Sequence, residues 1–337
     1  MKELKFITLA QIVGCILVVF GHSYPFVTQM PQGIIDVRTF IYTFHMPLFV
    51  FCSGYLLAFT KQTERKSHGE FMKQRAKRLL LPYFVLSLVG VIPKYVFSSV
   101  LNETLGFDTM SLVRAFLVPR ENIWGHFWFL PMIFFLGWIG FVVEKYVFAH
   151  LEKKWGWSIV FVLMLILAWN YQPIESLAWF GINDIIKYGW SYALGLTAYY
   201  WIGERLLATL KNGLPIGLTG GGIFILSCVL WKRAVLPVLV IGIAMIFAII
   251  LLCKVWEPHT GISRRSLIAQ TYQIFILSWP CQLVVEIITE RLLHLQWWVI
   301  IPSVFCMGVV GPLLILKLTE WFEARTKTRF LSIIIGK

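Results

Sequence analysis

AVLPVLVIGIAMIFAIILLC, residues 234–253, runs for 20 positions without a charged side chain. A helix crosses the hydrocarbon core of a bilayer with about 20 mostly apolar residues. Lys232 and Arg233 precede the run, and Lys254 follows it. Working outward, comparable runs lie near 6–26, 37–59, 79–101, 124–143, 157–172, 185–203, 214–231, 267–289 and 297–318. Of these, 157–172 is short and 214–231 is glycine-rich. The expected fold class is all-α: a polytopic transmembrane helical bundle of about ten helices. Gly21-His22-Ser23-Tyr24-Pro25 closes the first run without a small-x-small cleavage site, which marks a retained span rather than a cleaved leader. Gly220-Gly221-Gly222 lacks the Lys-Ser/Thr of a phosphate loop and is expected to start or break a helix.

Composition agrees. The chain has 337 residues, 58% of them hydrophobic and only 14% charged, with a mean hydropathy of +0.75. A soluble globule carries about 25% charged residues. These values exclude a disordered chain, a fibrous repeat and an ordinary cytosolic enzyme. No separate soluble domain is expected in 1–337. The 15 Trp suit interfacial belts. Cys15, Cys52, Cys228, Cys253, Cys281 and Cys306 show no paired spacing and read as buried small hydrophobes.

The net charge is +13. With ten spans and the N-terminus inside, the inner segments hold 22 Lys and Arg against 8 outside. The basic loop 60–78 falls inside. Arg38, Lys94, Arg114, Arg120, Lys187, Lys232, Arg233 and Arg291 fall outside. Lys and Arg gather on the cytoplasmic side, so the expected orientation is N-in and C-in. Anionic lipid accounts for the basic balance, and no nucleic acid is implied.

Ionisable and polar groups within spans are costly and point to function. Gln11 and His22 share one face of the first span, with Gly14, Cys15 and Val18 between them, about 16 Å apart along the axis. The second span opens Tyr42-Thr43-Phe44-His45-Met46-Pro47, so His45 sits at a similar outer depth, and Pro47 is expected to bend the helix. His126 opens the fourth span. The competing explanation for each histidine is interfacial packing. Zinc is not expected, because no two histidines are spaced i, i+4 on one helix. Arg75 and Arg78 are three apart and neighbours on a helix face. Two guanidinium forks suit a diphosphate or phosphomonoester, although positive-inside charge alone also explains such a cluster.

Val18-Val19-Phe20-Gly21-His22-Ser23, then Phe44-His45-Met46-Pro47-Leu48-Phe49 continuing to Ser53-Gly54-Tyr55-Leu56, Arg75-x-x-Arg78 before Pro82, and His126-Phe127-Trp128-Phe129-Leu130 resemble the acyltransferase 3 family of integral membrane proteins. The flavour is that of fucose 4-O-acetylase-like and exopolysaccharide acyltransferases. Specific motifs reach residue 136; beyond it stands Ile274-Phe275-Ile276-Leu277-Ser278-Trp279-Pro280, similar to the family's late span. The resemblance implies one acyltransferase domain over 1–337. It implies transfer of an acyl group, most commonly acetyl, from cytosolic acyl-CoA to a hydroxyl of an extracytoplasmic or lipid-linked glycan, in a bacterial cytoplasmic (inner) membrane. It departs at Gln11, where the family has an Arg, and at Ser278, where the family often has a His.

On this reading His22 is the general base and His45 orients it or stabilises the oxyanion; an acyl-His22 intermediate stays open. Arg75 and Arg78, with Lys73 and Lys77, hold the CoA phosphates, and Gln11 lies along the donor's path. The uncharged pantetheine arm is on the order of the ~16 Å from Gln11 to His22. Tyr24, Ser53, His126 and Trp128 are the expected acceptor contacts. Trp124, Trp179, Trp297 and Trp298 are further aromatic candidates, and Asp184, Lys187 and Glu286 either bind hydroxyls or form ion pairs. Homo-oligomers and polysaccharide-synthesis partners are compatible with the sequence. Two rivals remain: a transporter or flippase for a small solute or lipid-linked sugar, and a structural partner in a polysaccharide synthase. The absence of an internal repeat and the few carboxylates within spans weigh against transport.

Overall fold

The computed structural model describes residues 4–26, 28–96, 109–209, 213–263 and 266–336, and every regular element among them is helical. Residues 97–101 of the third expected span, 102–108 of the following connection, and the cations Lys2, Lys211, Arg264, Arg265 and Lys337 lie outside the described residues. In chain order the helices are α1 (Lys5–Gly21), α2 (Gln32–Tyr42), α3 (His45–Phe59), α4 (Gln62–Arg65), α5 (His68–Arg75), α6 (Leu81–Val96) and α7 (Thr109–Leu117). They continue as α8 (Phe129–Val142), α9 (Lys153–Ala168), α10 (Ile182–Thr209), α11 (Gly213–Lys232), α12 (Val238–Trp256), α13 (Thr271–Glu286), α14 (Trp297–Thr326) and α15 (Phe330–Ile334).

Six helical stretches among the described residues are long and apolar enough to cross a membrane: Gln32–Phe59, Phe129–Val147, Gly213–Lys232, Val238–His259, Thr271–Leu292 and Trp297–Thr326. The stretch that opened the sequence reading forms most of α12. α1 is apolar but has 17 residues. The other runs near 79–101, 157–172 and 185–203 coincide with α6, α9 and α10.

Several local expectations change. The second span breaks at Thr43–Phe44, one turn ahead of Pro47. Proline has no N–H for the carbonyl four residues earlier, here Thr43, and its ring crowds that carbonyl. Gly220-Gly221-Gly222 neither starts nor breaks a helix but lies inside α11. Gly220 lets α12 approach closely: a Cβ there would lie 3.1 Å from Leu251 and 3.2 Å from the Ala248 carbonyl. The basic loop 60–78 is mostly helical, and α5 passes through a π-helical turn, Ala76–Leu80, into α6. Not every cysteine is buried: Cys306 is exposed and Cys228 half-buried.

The chain forms two compact units, Met1–Cys52 with Ile202–Leu318, and Ser53–Trp201 with Thr319–Lys337. In the first, α1 packs on α12 and α13, with Cys15, Val19 and Ile274 at a core joined by Phe49, Phe305, Val309 and Leu313. In the second, α5 lies along α8, with Phe71 stacked on Phe141 at 4.2 Å. Gly90 gives its side-chain space to Trp124, whose indole N–H donates to the Leu86 carbonyl at 2.8 Å.

Candidate active site

The first unit gathers His22, Tyr42, His45 and Trp279. α1 stops at Gly21, and side chains take up two of its last carbonyls, those of Val19 and Gly21. Ser23 Oγ donates to Val19 O at 2.7 Å. Gln282 Nε2, from α13, donates to the same carbonyl at 2.8 Å and to Ser23 Oγ at 2.9 Å. Terminal helix carbonyls need such partners. The loop beyond His22 is closed by Glu290, whose buried carboxylate accepts the backbone N–H of Phe26 at 3.0 Å and of Thr28 at 2.7 Å.

His22 caps α1 and is half-buried. The Trp279 ring stands perpendicular to it at 4.9 Å, and the Tyr42 ring lies 6.2 Å away on α2. Tyr42 is fixed at both ends. Its hydroxyl donates to the Gly21 carbonyl at 3.2 Å, and its ring fills the place a Gly21 Cβ would take, 2.9 Å away. His45 contacts the Tyr42 ring at 4.8 Å and is buried. Tyr42 thus contacts both histidines.

His45 Nδ1 lies 2.8 Å from the Ile41 carbonyl. A carbonyl only accepts, so Nδ1 carries the proton, and Nε2 of the neutral ring keeps a lone pair. Tyr24 is buried, and its hydroxyl donates to Ile34 O at 3.2 Å. Gln11 is half-buried on α1.

The second unit holds the other expected residues. Lys73, Lys77 and Arg78 are exposed. Arg75 turns inward instead: its guanidinium donates to the Ile133 carbonyl at 2.5 Å, lies 5.4 Å from the Phe71 ring, and occupies the space beside Gly137. Arg75 therefore faces the middle of α8, while Arg78 lies exposed. Just beyond α8, in the π-helical turn Val143–Val147, Glu144 is buried and accepts from Tyr200 at 2.7 Å and Thr63 at 3.2 Å, with Lys153 at 3.5 Å.

Ser53 is half-buried on α3 and His126 is buried against Phe127. Trp128 is buried between Arg120, 3.7 Å over its ring, and Tyr188, stacked at 5.3 Å. Asp184 is engaged as an ion pair, taking both Arg120 Nε, at 3.1 Å, and Nη2, at 2.5 Å. Sequence reading missed Arg38, Tyr42, Trp279 and Gln282 as site residues. Trp279 stood inside a recognised motif, Tyr42 two residues ahead of one, and Arg38 was counted only as a charge.

An all-helical chain with six apolar helices of spanning length is an integral membrane protein. The family model described as an acyltransferase domain matches residues 4–317, nearly the whole chain, and the chain belongs to that acyltransferase 3 family. No curated protein and no solved structure matches it.

Proposed function

We propose that this membrane acyltransferase moves an acyl group, acetyl in the first instance, from cytosolic acyl-CoA to a hydroxyl of an extracytoplasmic or lipid-linked glycan. The observation that carries the reading is the half-buried His22 imidazole between Trp279 and Tyr42 in a chain of this family. Neutral imidazole takes the hydroxyl proton as the oxygen attacks the thioester carbonyl. The new C–O ester bond forms, the C–S bond breaks, and the proton leaves with CoA as its thiol. Trp279 and Tyr42 offer the apolar ring faces on which a sugar packs. A neutral His45 presents a lone pair at Nε2, so we assign it to positioning through Tyr42 rather than to donating to an oxyanion. Tyr24, in the same unit as His22, remains a secondary acceptor contact in this reading; Ser53, His126 and Trp128 belong to the other unit and are not assigned to this site.

The donor's phosphates pair with the exposed Arg78, Lys73 and Lys77; Arg75, its guanidinium turned to the Ile133 carbonyl, backs them on α5, and Gln11 lines the arm's path. We also place α1, α6, α9 and α10 across the bilayer, making ten crossings with both ends inside. The 22-to-8 division of Lys and Arg supports this topology, and we propose a bacterial cytoplasmic membrane as its place.

Acetyl-CoA binding to detergent-purified protein, followed by calorimetry, tests the donor. Arg78→Ala with Lys73→Ala should weaken binding by about tenfold or more, close to 1.4 kcal/mol. Both side chains are exposed, so folding should survive. His22→Ala should bind acetyl-CoA but transfer nothing. Full transfer by His22→Ala would remove the base; no binding by folded wild-type protein would favour a transporter.

A further inference from the structure

We infer that Arg38 is the counter-cation for an acidic group, a carboxylate or a phosphate, carried by the acceptor that reaches His22. The inference deepens the proposed function and rests on it.

Arg38 projects from α2 and is half-buried. Its guanidinium lies 5.3 Å from the centre of the Tyr24 ring and 5.4 Å from that of Tyr42. Among the described residues, no carboxylate is within ion-pair distance of it. The nearby acids are otherwise engaged. Asp36, two residues earlier on α2, accepts from Gln32 Nε2 at 2.8 Å. Glu290 is buried and bound to the Phe26 and Thr28 amides. Glu286 is buried, within electrostatic reach of both Arg38 and Arg291. Arg38 and Arg291 are half-buried cations here, and Asp36, equally half-buried, is turned to Gln32.

A half-desolvated guanidinium is costly without a counter-charge, and two aromatic rings compensate only part of that cost. Intramembrane or interfacial cations kept in this state mark ligand paths. Position then selects the ligand. Tyr42 contacts His22 and Arg38 with the same ring, and Arg38 is within electrostatic reach of His22. A sugar whose hydroxyl meets His22 would bring a neighbouring carboxylate or phosphate to the guanidinium fork, which matches either group bidentately. A neutral sugar would leave Arg38 without a directly paired anion, with only the longer-range charge of Glu286.

The test uses full-length protein in phosphatidylcholine nanodiscs, with tetragalacturonate and its fully methyl-esterified, neutral form as probes. The acidic form should bind about tenfold more tightly or better, less so as salt rises. Arg38→Gln should bring the two affinities together, and Arg38→Lys should keep part of the preference with an unchanged melting temperature. Equal affinities in wild type, binding of neither form, or a preference that survives Arg38→Gln would each overturn the inference. So would a preference that vanishes when half the lipid is phosphatidylglycerol while Arg38→Gln alters only lipid binding, because the cation would then serve headgroups. Acetyl-CoA binding is measured on the same preparation. If acetyl-CoA binds and the probes show no preference, the inference fails alone; if acetyl-CoA does not bind, the reading beneath it fails.

Discussion

At the scale of single residues, the site depends on a side chain that is missing. Gly21 leaves room for the Tyr42 ring, and an added Cβ would sit 2.9 Å from it. Gly21→Ala should displace Tyr42, break its hydrogen bond to Gly21 O, and shift the adjacent His22. Misplacement of a base by about 1 Å costs on the order of 100-fold in rate. We expect kcat to fall by tenfold or more with acetyl-CoA affinity unchanged, measured by transfer kinetics and calorimetry together. A normal kcat would show that Tyr42 does not hold the base. His22 and His45 were legible because histidines are conspicuous within apolar runs. Arg38 was not, because only the fold shows that no carboxylate lies within ion-pair distance of it among the described residues, and that Asp36 and Glu290 are engaged elsewhere. Arg75 differs again: its spacing from Arg78 was visible, but its turn toward Ile133 O depends on α5 lying along α8.

At the scale of elements, apolar runs were easy to read and polar helices were not. α5 contains too many polar residues to resemble a span, so 60–78 read as a loop. Its start is nevertheless written in Ser67-x-x-Glu70, a capping box. Ser67 Oγ accepts from Glu70 N, and the Glu70 carboxylate accepts from Ser67 N at 2.9 Å. The Ser67 backbone N–H, then its hydroxyl, hold the Glu70 carboxyl below its ordinary value. A depressed carboxylate adds stability above its unfolded pKa and loses it as pH falls through the folded one. Hydrogen exchange should therefore show α5 amides losing protection as pH drops below about 4, and Ser67→Ala, which removes the hydroxyl but keeps the backbone N–H, should weaken that dependence without abolishing it. Unchanged protection across the acid range would mean the box contributes nothing. The break at Thr43–Phe44 follows the same logic, since Pro47 announced it while the missing hydrogen bond placed it a turn upstream.

At the scale of the whole molecule, hydropathy gave an all-helical membrane protein, because no loop or open sheet edge survives in lipid. It could not reveal the two compact units, since long-range packing leaves no periodic trace in sequence. The charge bias makes the orientation testable. In a Cys306→Ser background, Gln29→Cys, Glu175→Cys and His294→Cys should react with an impermeant thiol reagent outside intact cells. Lys61→Cys and Glu152→Cys should react only after permeabilisation, and the reverse pattern at either group would refute the N-in, C-in topology. All five positions are exposed. Gln282 has a consequence at this scale as well. By gripping Val19 O and Ser23 from α13, it ties the end of α1 to the helix that carries Trp279. The two rings are thereby yoked: on the proposed reading, an acceptor that pushed Trp279 aside would carry His22 with it.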